Sequence, residues 1–307
     1  MFKLKRIEGA ILEPIPTNPW ESRAVLNPAT IRENGFIHML YRAVEGENFS
    51  TIGYARLDKN SKILDRRDTP LISREYDYEK QGAEDARVTK LGDSYYILYT
   101  GFDGSKCRVC MASTSDFKNI KKHGIIIPDI WDKDAMFFPD LSNGKLVLMH
   151  RIEPNIQLAF FDDIEHVLKV DSRYWKNHVK NLDDYILMRP EYTWEAKKIG
   201  GGAPPIETKD GWLIIYHGVD DKMVYRAGAA LLDLDNPRKV ISRLPEPILE
   251  PERDYELKGD VPNVVFPEGA VVFDGQLQVH YGGADKVIGV AVADLDELLH
   301  ELKKNML

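Results

Sequence analysis

Apolar runs recur along the chain, each entered through a Gly-containing turn and closed by a polar or basic residue. They occupy residues 36–42 (FIHMLYR), 95–100 (YYILYT), 145–151 (KLVLMHR), 212–217 (WLIIYH) and 276–281 (QLQVHY). A second run follows each of them, at residues 51–57, 106–112, 156–161, 225–232 and 287–292, and several of these lead into Asp-rich turns. Short apolar stretches at regular spacing between turn signals predict strands. Self-similarity at a period of about 50–65 residues predicts repeated supersecondary units. With about four strands per unit, five units fill the chain, which is the arithmetic of a five-bladed β-propeller. Two segments break the pattern. Residues 162–190 predict a short helix or lid-like loop. The tail from Asp294 predicts a helix, with Asp294 as its cap, Leu295, Leu298, Leu299 and Leu302 on one face and Lys303 and Lys304 at its negative end. No linker divides the chain, so residues 1–307 are expected to form one all-β domain with a short C-terminal helix.

Charge and composition narrow the function. A net charge of −8 argues against nucleic acid as the main partner. No apolar stretch is long enough to span a membrane, and no signal-peptide core follows the basic start, so a cytoplasmic location is expected. Cys107 and Cys110 form a lone C-x-x-C in strand-like sequence and read as ordinary strand thiols. No cluster has the spacing of a metal site.

Aligning the runs stacks their ends: Arg42, Thr100, Arg151, His217 and the segment from Tyr281 to Asp285. The entries before them stack Asn27, Asp85, Phe138, Gly202 and Glu268. In a propeller such positions converge on a central channel. One funnel would then collect Asn27, Arg42, Asp85, Arg87, Arg151, His217, Asp285 and Glu268, with Arg87 counted among the substrate-binding residues. A few carboxylates facing several cations is the composition of a site. Each has a plainer reading: Asp85 paired with Arg87, the arginines as inter-unit ties, His217 as a core histidine. Gly200, Gly201 and Gly202 lack the spacing of a phosphate loop and suggest close approach of backbone to a ligand. Trp20, Trp131, Trp194 and Trp212 are candidates to stack on sugar faces, although packing between units is the commoner fate.

These residues carry a resemblance. The segments Leu26-Asn27-Pro28-Ala29, Leu40-Tyr41-Arg42, Gly82-Ala83-Glu84-Asp85-Ala86-Arg87 and Leu148-Met149-His150-Arg151 are followed by residues 194–205 (WEAKKIGGGAPP), 211–218, 225–233, 261–267 and 281–285 in fixed order. On them the chain resembles glycoside hydrolase family 130, the inverting β-mannoside phosphorylases, over nearly its whole length. The resemblance implies a five-bladed propeller, in agreement with the repeat count. It implies Asp85 as the sole catalytic acid, its proton reaching the leaving oxygen through a sugar hydroxyl. It implies phosphate held by Arg151, Lys198, His217 and Tyr225, and the mannosyl unit held by Asn27, Arg42 and Asp285. Ala86 stands where the family has Pro, and Lys133 is the nearest candidate for a second phosphate-binding basic residue, which is often Arg in the family.

The chemistry agrees with that set. Inverting hydrolysis needs an acid and a base that activates water. Phosphorolysis replaces the base and water with phosphate, so one acid and a cationic cradle suffice. An acid working near neutral pH calls for a raised pKa on Asp85, which burial beside Glu84 favours and Arg87 opposes. The expected activity is phosphorolysis of β-mannosides, leaning towards β-1,2 linkage, to α-mannose 1-phosphate and a shortened sugar. Inorganic phosphate is the co-substrate, with no cofactor and no metal, and the resemblance implies a homo-oligomer. The alternatives are an inverting β-mannosidase using Asp85 with Glu268 as base, and a non-catalytic carbohydrate-binding propeller.

Overall fold

The structure, a computed structural model, describes residues 2–7, 9–128 and 130–307. It is all-β with few helices. Each predicted run is a strand, and the strands form antiparallel units of four. Unit one comprises Ala24–Glu33, Phe36–Val44, Ser50–Leu57 and Ile63–Arg66. Unit two comprises Gly82–Leu91, Ser94–Phe102, Cys107–Thr114 and Lys121–Ile127. Unit three comprises Lys133–Phe137, Leu146–Arg151, Ile156–Phe161 and Ile186–Met188. Unit four comprises Lys198–Gly201, Gly211–Val219, Tyr225–Leu232 and Val240–Arg243, with Ile206–Thr208 also paired to its second strand. Unit five comprises Val265–Phe273, Gln276–Gly283 and Val287–Asp294, and its fourth strand, Lys5–Arg6, comes from the other end of the chain.

Among the described residues the hydrogen-bonded sheets number four, because units one and two join through a single parallel bridge from Ser50 to Gly82. No sheet closes on itself. Packing between units is repetitive. Apolar clusters lie between units one and two, two and three, three and four, four and five, and five and one. In the last of these, Val271, Phe273 and Ile288 meet Val25, Ile37 and Met39. The C-terminal helix, Leu295–Lys304, is capped by Asp294, which accepts from the backbone N–H of Glu297, and buries Leu298, Leu299 and Leu302. The irregular segment holds two helices, Ile164–Lys169 and Ser172–Lys180. Cys107 and Cys110 are buried free thiols on a strand.

A buried acid–tyrosine–cation group recurs and was not foreseen. Tyr41, Tyr99, Tyr216 and Tyr281 sit at the same place in the second strands of units one, two, four and five. Each donates its hydroxyl to a buried glutamate just upstream of its own unit: Glu21 at 2.8 Å, Glu79 at 2.5 Å, Glu195 at 3.0 Å and Glu256 at 2.7 Å. A cation from the fourth strand completes each group: Arg66 at 2.6 Å, Lys122 at 2.8 Å, Arg243 at 2.5 Å and Arg6 at 2.7 Å. Arg6 explains why the N-terminal strand docks on unit five. In unit three the tyrosine is replaced by His150, which pairs with Asp132 at 2.6 Å and with His178 at 3.0 Å. Alternation along a strand turns the next residue to the opposite side. The groups therefore brace the strand ends that present Arg42, Arg151 and His217. Removing one partner of a buried ion pair costs about 3–5 kcal/mol. Glu195→Ala is expected to lower unfolding stability by that amount in urea titration; a loss below about 1 kcal/mol would mean the group does not brace the fold.

Candidate active site

The first strands carry bulges that place the site. Register shifts occur between Leu26 and Ala29, Glu84 and Arg87, Lys133 and Met136, and Pro267 and Gly269. A bulge turns a side chain away from the ladder. Asn27, Asp85 and Asp134 sit in three of these bulges with φ of 50°, 53° and 55°, a conformation that short polar side chains tolerate. Asp134, not Phe138, is thus the unit-three counterpart of Asp85. The signal was legible, because Lys133-Asp134-Ala135-Met136 repeats the form of Glu84-Asp85-Ala86-Arg87.

A cavity of about 400 Å³ opens over these bulges. Its lining includes Asn27, Arg42, Asp85, Lys133, Arg151, Lys198, His217, Tyr225 and Asp285, together with Asp134 and Glu153, which the sequence reading passed over. Arg87 is not in the lining. It is 1 % exposed, and its guanidinium donates to the carbonyls of Gly201 and Gly202 and pairs with Asp134 at 3.2 Å and Glu268 at 3.0 Å. Glu268 is fully buried beside it and absent from the lining, which removes the geometry for a general base there. Burial pushes the Glu268 carboxyl well above its usual pKa despite Arg87, with Asp85 and Asp134 adding to the rise. The glycine run serves the protein interior. A Cβ on Gly200 would run into His217 and Asp134, and one on Gly202 into the carbonyls of Ile215 and Pro267.

The polar lining divides into two groups. In the first, Asn27 donates to Asp85 at 2.8 Å, and Arg42 reaches Asp85 at 3.5 Å and Glu84 at 2.9 Å. Lys133 belongs here as well, 3.9 Å from Glu84, and its pKa is raised because Asp85 and Glu84 outweigh its burial. Burial is the largest influence on Asp85 and pushes its pKa up, yet Arg42, Lys133 and the Asn27 hydrogen bond together hold it below the ordinary value. The sequence calls for a raised Asp85 pKa, and the surroundings of Asp85 lower it instead. Asp285 behaves oppositely: burial pushes it up to about 6, against Arg42 and with help from Asp85 and Asp260.

In the second group Arg151 pairs with Asp134 at 2.6 Å and with Glu153 at 2.8 Å, and Lys198 reaches the same Glu153 oxygen at 2.8 Å. Burial brings His217 down to about 3, so the cradle has two cations and a neutral imidazole rather than three cations. Burial raises the pKa of Tyr225, which keeps it a hydrogen-bond donor. Asp134 is 3 % exposed and fixed between Arg87 and Arg151, whereas the Glu153 side chain is 47 % exposed. Glu153 is thus the carboxylate that can swing away and leave Arg151 and Lys198 to another oxyanion.

The Asp285 shift has a sign that can be tested. Between about pH 4 and 6 the folded protein binds a proton that the unfolded chain releases, so this group lowers stability as pH rises through that window. Asp285→Asn is expected to stabilise the fold by about 1–3 kcal/mol at pH 7.5, with the difference fading below about pH 4. Thermal melts at the two pH values check this, and an equal effect at both would show that the carboxylate is not destabilised by burial.

Comparison with known proteins agrees with the all-β fold and identifies the family. A profile of the Glyco_hydro_130 family, described as β-1,4-mannooligosaccharide phosphorylase, matches residues 3–304. A 1,2-β-oligomannan phosphorylase of Thermoanaerobacter sp. (strain X514) is 42 % identical over 97 % of this chain and 99 % of its own. A β-1,2-mannobiose phosphorylase from the same organism is 44 % identical over the same shares. The solved structure of β-1,2-mannobiose phosphorylase from Listeria innocua, in complex with β-1,2-mannobiose, superposes with a TM-score of 0.84 at 26 % identity, covering 98 % of this chain and 99 % of that one. The chain belongs to glycoside hydrolase family 130.

Proposed function

We propose that this protein is an inverting phosphorylase of β-mannosides, leaning towards β-1,2 linkage, which releases α-mannose 1-phosphate and a shortened sugar. The observation that carries the reading is the division of one cavity into an acid group around Asp85 and a cation pair, Arg151 and Lys198, bridged by the half-exposed Glu153. Relatives at 42 % and 44 % identity named for β-1,2-mannoside phosphorolysis support the substrate class.

Asn27, Arg42 and Asp285 hold the mannosyl unit. Phosphate displaces Glu153, takes hydrogen bonds from Arg151, Lys198 and Tyr225, and attacks the anomeric carbon from the face opposite the leaving oxygen. The C–O bond to the leaving sugar breaks, and a proton from Asp85 reaches that oxygen through a sugar hydroxyl. Arg42, Lys133 and Asn27 hold the Asp85 pKa below its ordinary value, so a further influence must raise it for Asp85 to deliver a proton. A multiply charged phosphate raises the pKa of a nearby carboxyl, which ties proton donation to arrival of the nucleophile. Phosphate is the co-substrate, and no cofactor or metal enters the reaction.

The five apolar layers and the braced strand ends also favour a five-bladed propeller, with the cavity on its axis and the N-terminal strand closing unit five. No described helix is long and apolar enough to cross a membrane; a cytoplasmic setting and a homo-oligomeric state belong to the proposal.

Incubation with β-1,2- and β-1,4-mannobiose, with and without phosphate, tests the function. Phosphate-dependent α-mannose 1-phosphate is expected. Free mannose in phosphate-free buffer would instead establish a hydrolase, and binding without turnover a carbohydrate-binding protein. The Glu153 bridge adds a quantitative expectation. An exposed ion pair is worth about 0.2–1 kcal/mol, so Glu153→Gln should lower the KM for phosphate by about two- to fivefold at unchanged kcat. A raised KM would mean that Glu153 assists phosphate rather than competing with it.

A further inference from the structure

Four of the five units brace their second strand with a tyrosine, a glutamate and an arginine or lysine. Unit three departs from this at every member, and it is the unit that carries Arg151. Its fourth strand, Ile186–Met188, has no cation to offer. Its acid is Asp132, one methylene shorter, again preceded by an aromatic residue. The tyrosine is replaced by His150, and the third member is His178, from the helix Ser172–Lys180. That helix lies in an insertion. Third and fourth strands are joined by residues 58–62, 115–120 and 233–239 in units one, two and four, but by residues 162–185 in unit three.

The exchange changes what the acid holds. Glu79, Glu195 and Glu256 accept backbone N–H groups a few residues upstream of themselves: from Glu75, from Glu191 and Tyr192, and from Glu252 and Arg253. Asp132 instead accepts the backbone N–H of Arg151 at 3.0 Å on one oxygen and pairs with the His150 ring at 2.6 Å on the other. The bulge between Lys133 and Met136 breaks the ladder beside Arg151, so this side-chain bond stands in for a strand bond. Gln157 clamps the next residue, accepting from the Ile152 N–H at 2.8 Å and donating to the Ile152 carbonyl at 2.9 Å. Side chains therefore set the backbone at Arg151, and Asp132 is itself oriented by a pair of histidines.

Proton counting shows what His178 contributes. Asp132, His150 and His178 are all buried. A carboxylate only accepts, so His150 donates to it from Nδ1. The contact between the two Nε2 atoms, at 3.0 Å, needs one N–H between them. Burial brings His178 down to about 3, with His150 and Arg238 adding to the fall. His178 is thus neutral and either donates to His150 or accepts from it. In both cases the bond fixes the His150 ring at its second nitrogen. Among the described residues His178 Nδ1 has no partner, so the bond to His150 is the one hydrogen bond its side chain makes. Tyr185 and Trp175 hold its ring, at centroid distances of 4.0 and 5.3 Å.

We propose that His178, reaching out of the helical insertion, is a positioning residue for phosphate: through His150 and Asp132 it sets the backbone from which Arg151 enters the cavity. His178 itself touches no substrate. The inference rests on the phosphorylase reading and gives the insertion a part in that reaction.

Steady-state kinetics of His178→Phe and His178→Gln test it, with phosphate and β-mannoside varied separately. Phenylalanine keeps a ring between Tyr185 and Trp175 but offers His150 no polar atom. Glutamine places an amide where Nε2 lies. His178→Phe is expected to raise the KM for phosphate about tenfold, with kcat and the KM for the β-mannoside within about twofold of wild type, since misplacing a positioned group by 1 Å can cost about 10²-fold. His178→Gln is expected to recover most of the loss. His178→Asn, too short to reach His150, should match the Phe variant and replaces it in the test if that protein does not fold. The effect must also run through Arg151. In an Arg151→Ala background the further loss from His178→Phe should fall below about twofold, because residues acting through one another are not additive. A wild-type KM for phosphate in the Phe and Asn variants, an equal loss for phosphate and β-mannoside, or an undiminished effect without Arg151 overturns the inference. A lowered melting temperature with no change in the KM for phosphate overturns it too, leaving His178 as a packing residue. Failure of the phosphorylase reading shows separately, as absence of mannose 1-phosphate from the wild-type protein.

Discussion

Asp85→Asn is expected to lower kcat for phosphorolysis by about 10³-fold or more while leaving the fold intact, since a positioned general acid contributes about 10²–10⁴. The fold is expected to survive because asparagine tolerates the φ of 53° that the bulge imposes. Arg42, deprived of the Asp85 charge, keeps Glu84 at 2.9 Å and Ser50 at 2.9 Å. A loss of 10³ corresponds to about 4 kcal/mol of transition-state stabilisation, more than loss of an ordinary hydrogen bond explains. The leaving group separates the two. A β-mannoside with an acidic phenol as leaving group needs little protonation, so the variant should recover most of its rate on it. A uniform loss across leaving groups would mean that Asp85 positions the sugar and another group supplies the proton. Activity within tenfold of wild type would remove Asp85 from the chemistry.

The strand ends were legible because their signal is local. Turn, apolar run and terminal polar residue lie within ten residues, and alternation alone sets Arg42, Arg151 and His217 apart from the core positions beside them. The bulges were half legible. Asn27 and Asp85 were found from their flanking residues. Asp134 was missed because unit three was aligned on Phe138, four residues on, although the Lys-Asp-Ala form was present. Other features were not local at all. Arg87 and Glu268 lie on the same strands as site residues, and only the three-dimensional packing puts them beneath the cavity rather than in it. The direction of the Asp85 pKa depends on Arg42 and Asn27 from unit one and Lys133 from unit three, none of them from its own unit. The bracing glutamates hide in plain composition: each follows an aromatic residue, as in Trp20-Glu21 or Tyr78-Glu79, and nothing marks such a pair until its tyrosine and cation arrive from elsewhere. Glu153 was passed over because a glutamate beside a proline reads as surface charge.

Replacing Arg151 tests the other half of the cavity. Arg151→Ala is expected to cut kcat/KM for phosphate by about 10²–10³, the loss seen when one preorganised donor to an oxyanion is removed, with the affinity for the β-mannoside nearly unchanged. Its side chain is aimed from both ends. Asp134 and Glu153 hold the guanidinium, and Asp132 accepts from the Arg151 backbone N–H at 3.0 Å while pairing with His150. Without the arginine, Asp134 keeps Arg87 at 3.2 Å, so a buried unpaired charge is not the dominant consequence. Glu153, however, keeps Lys198 and would then neutralise the one cation left for phosphate. That makes the two substitutions interdependent. Glu153→Gln in the Arg151→Ala background should recover about tenfold of the lost kcat/KM for phosphate, more than its two- to fivefold gain in the wild-type background, because residues sharing one charge network do not act additively. Additive effects would show that Glu153 does not contend with phosphate for these cations. A fall in β-mannoside affinity as large as that for phosphate would place Arg151 on the sugar and leave Lys198 and Tyr225 to hold the nucleophile.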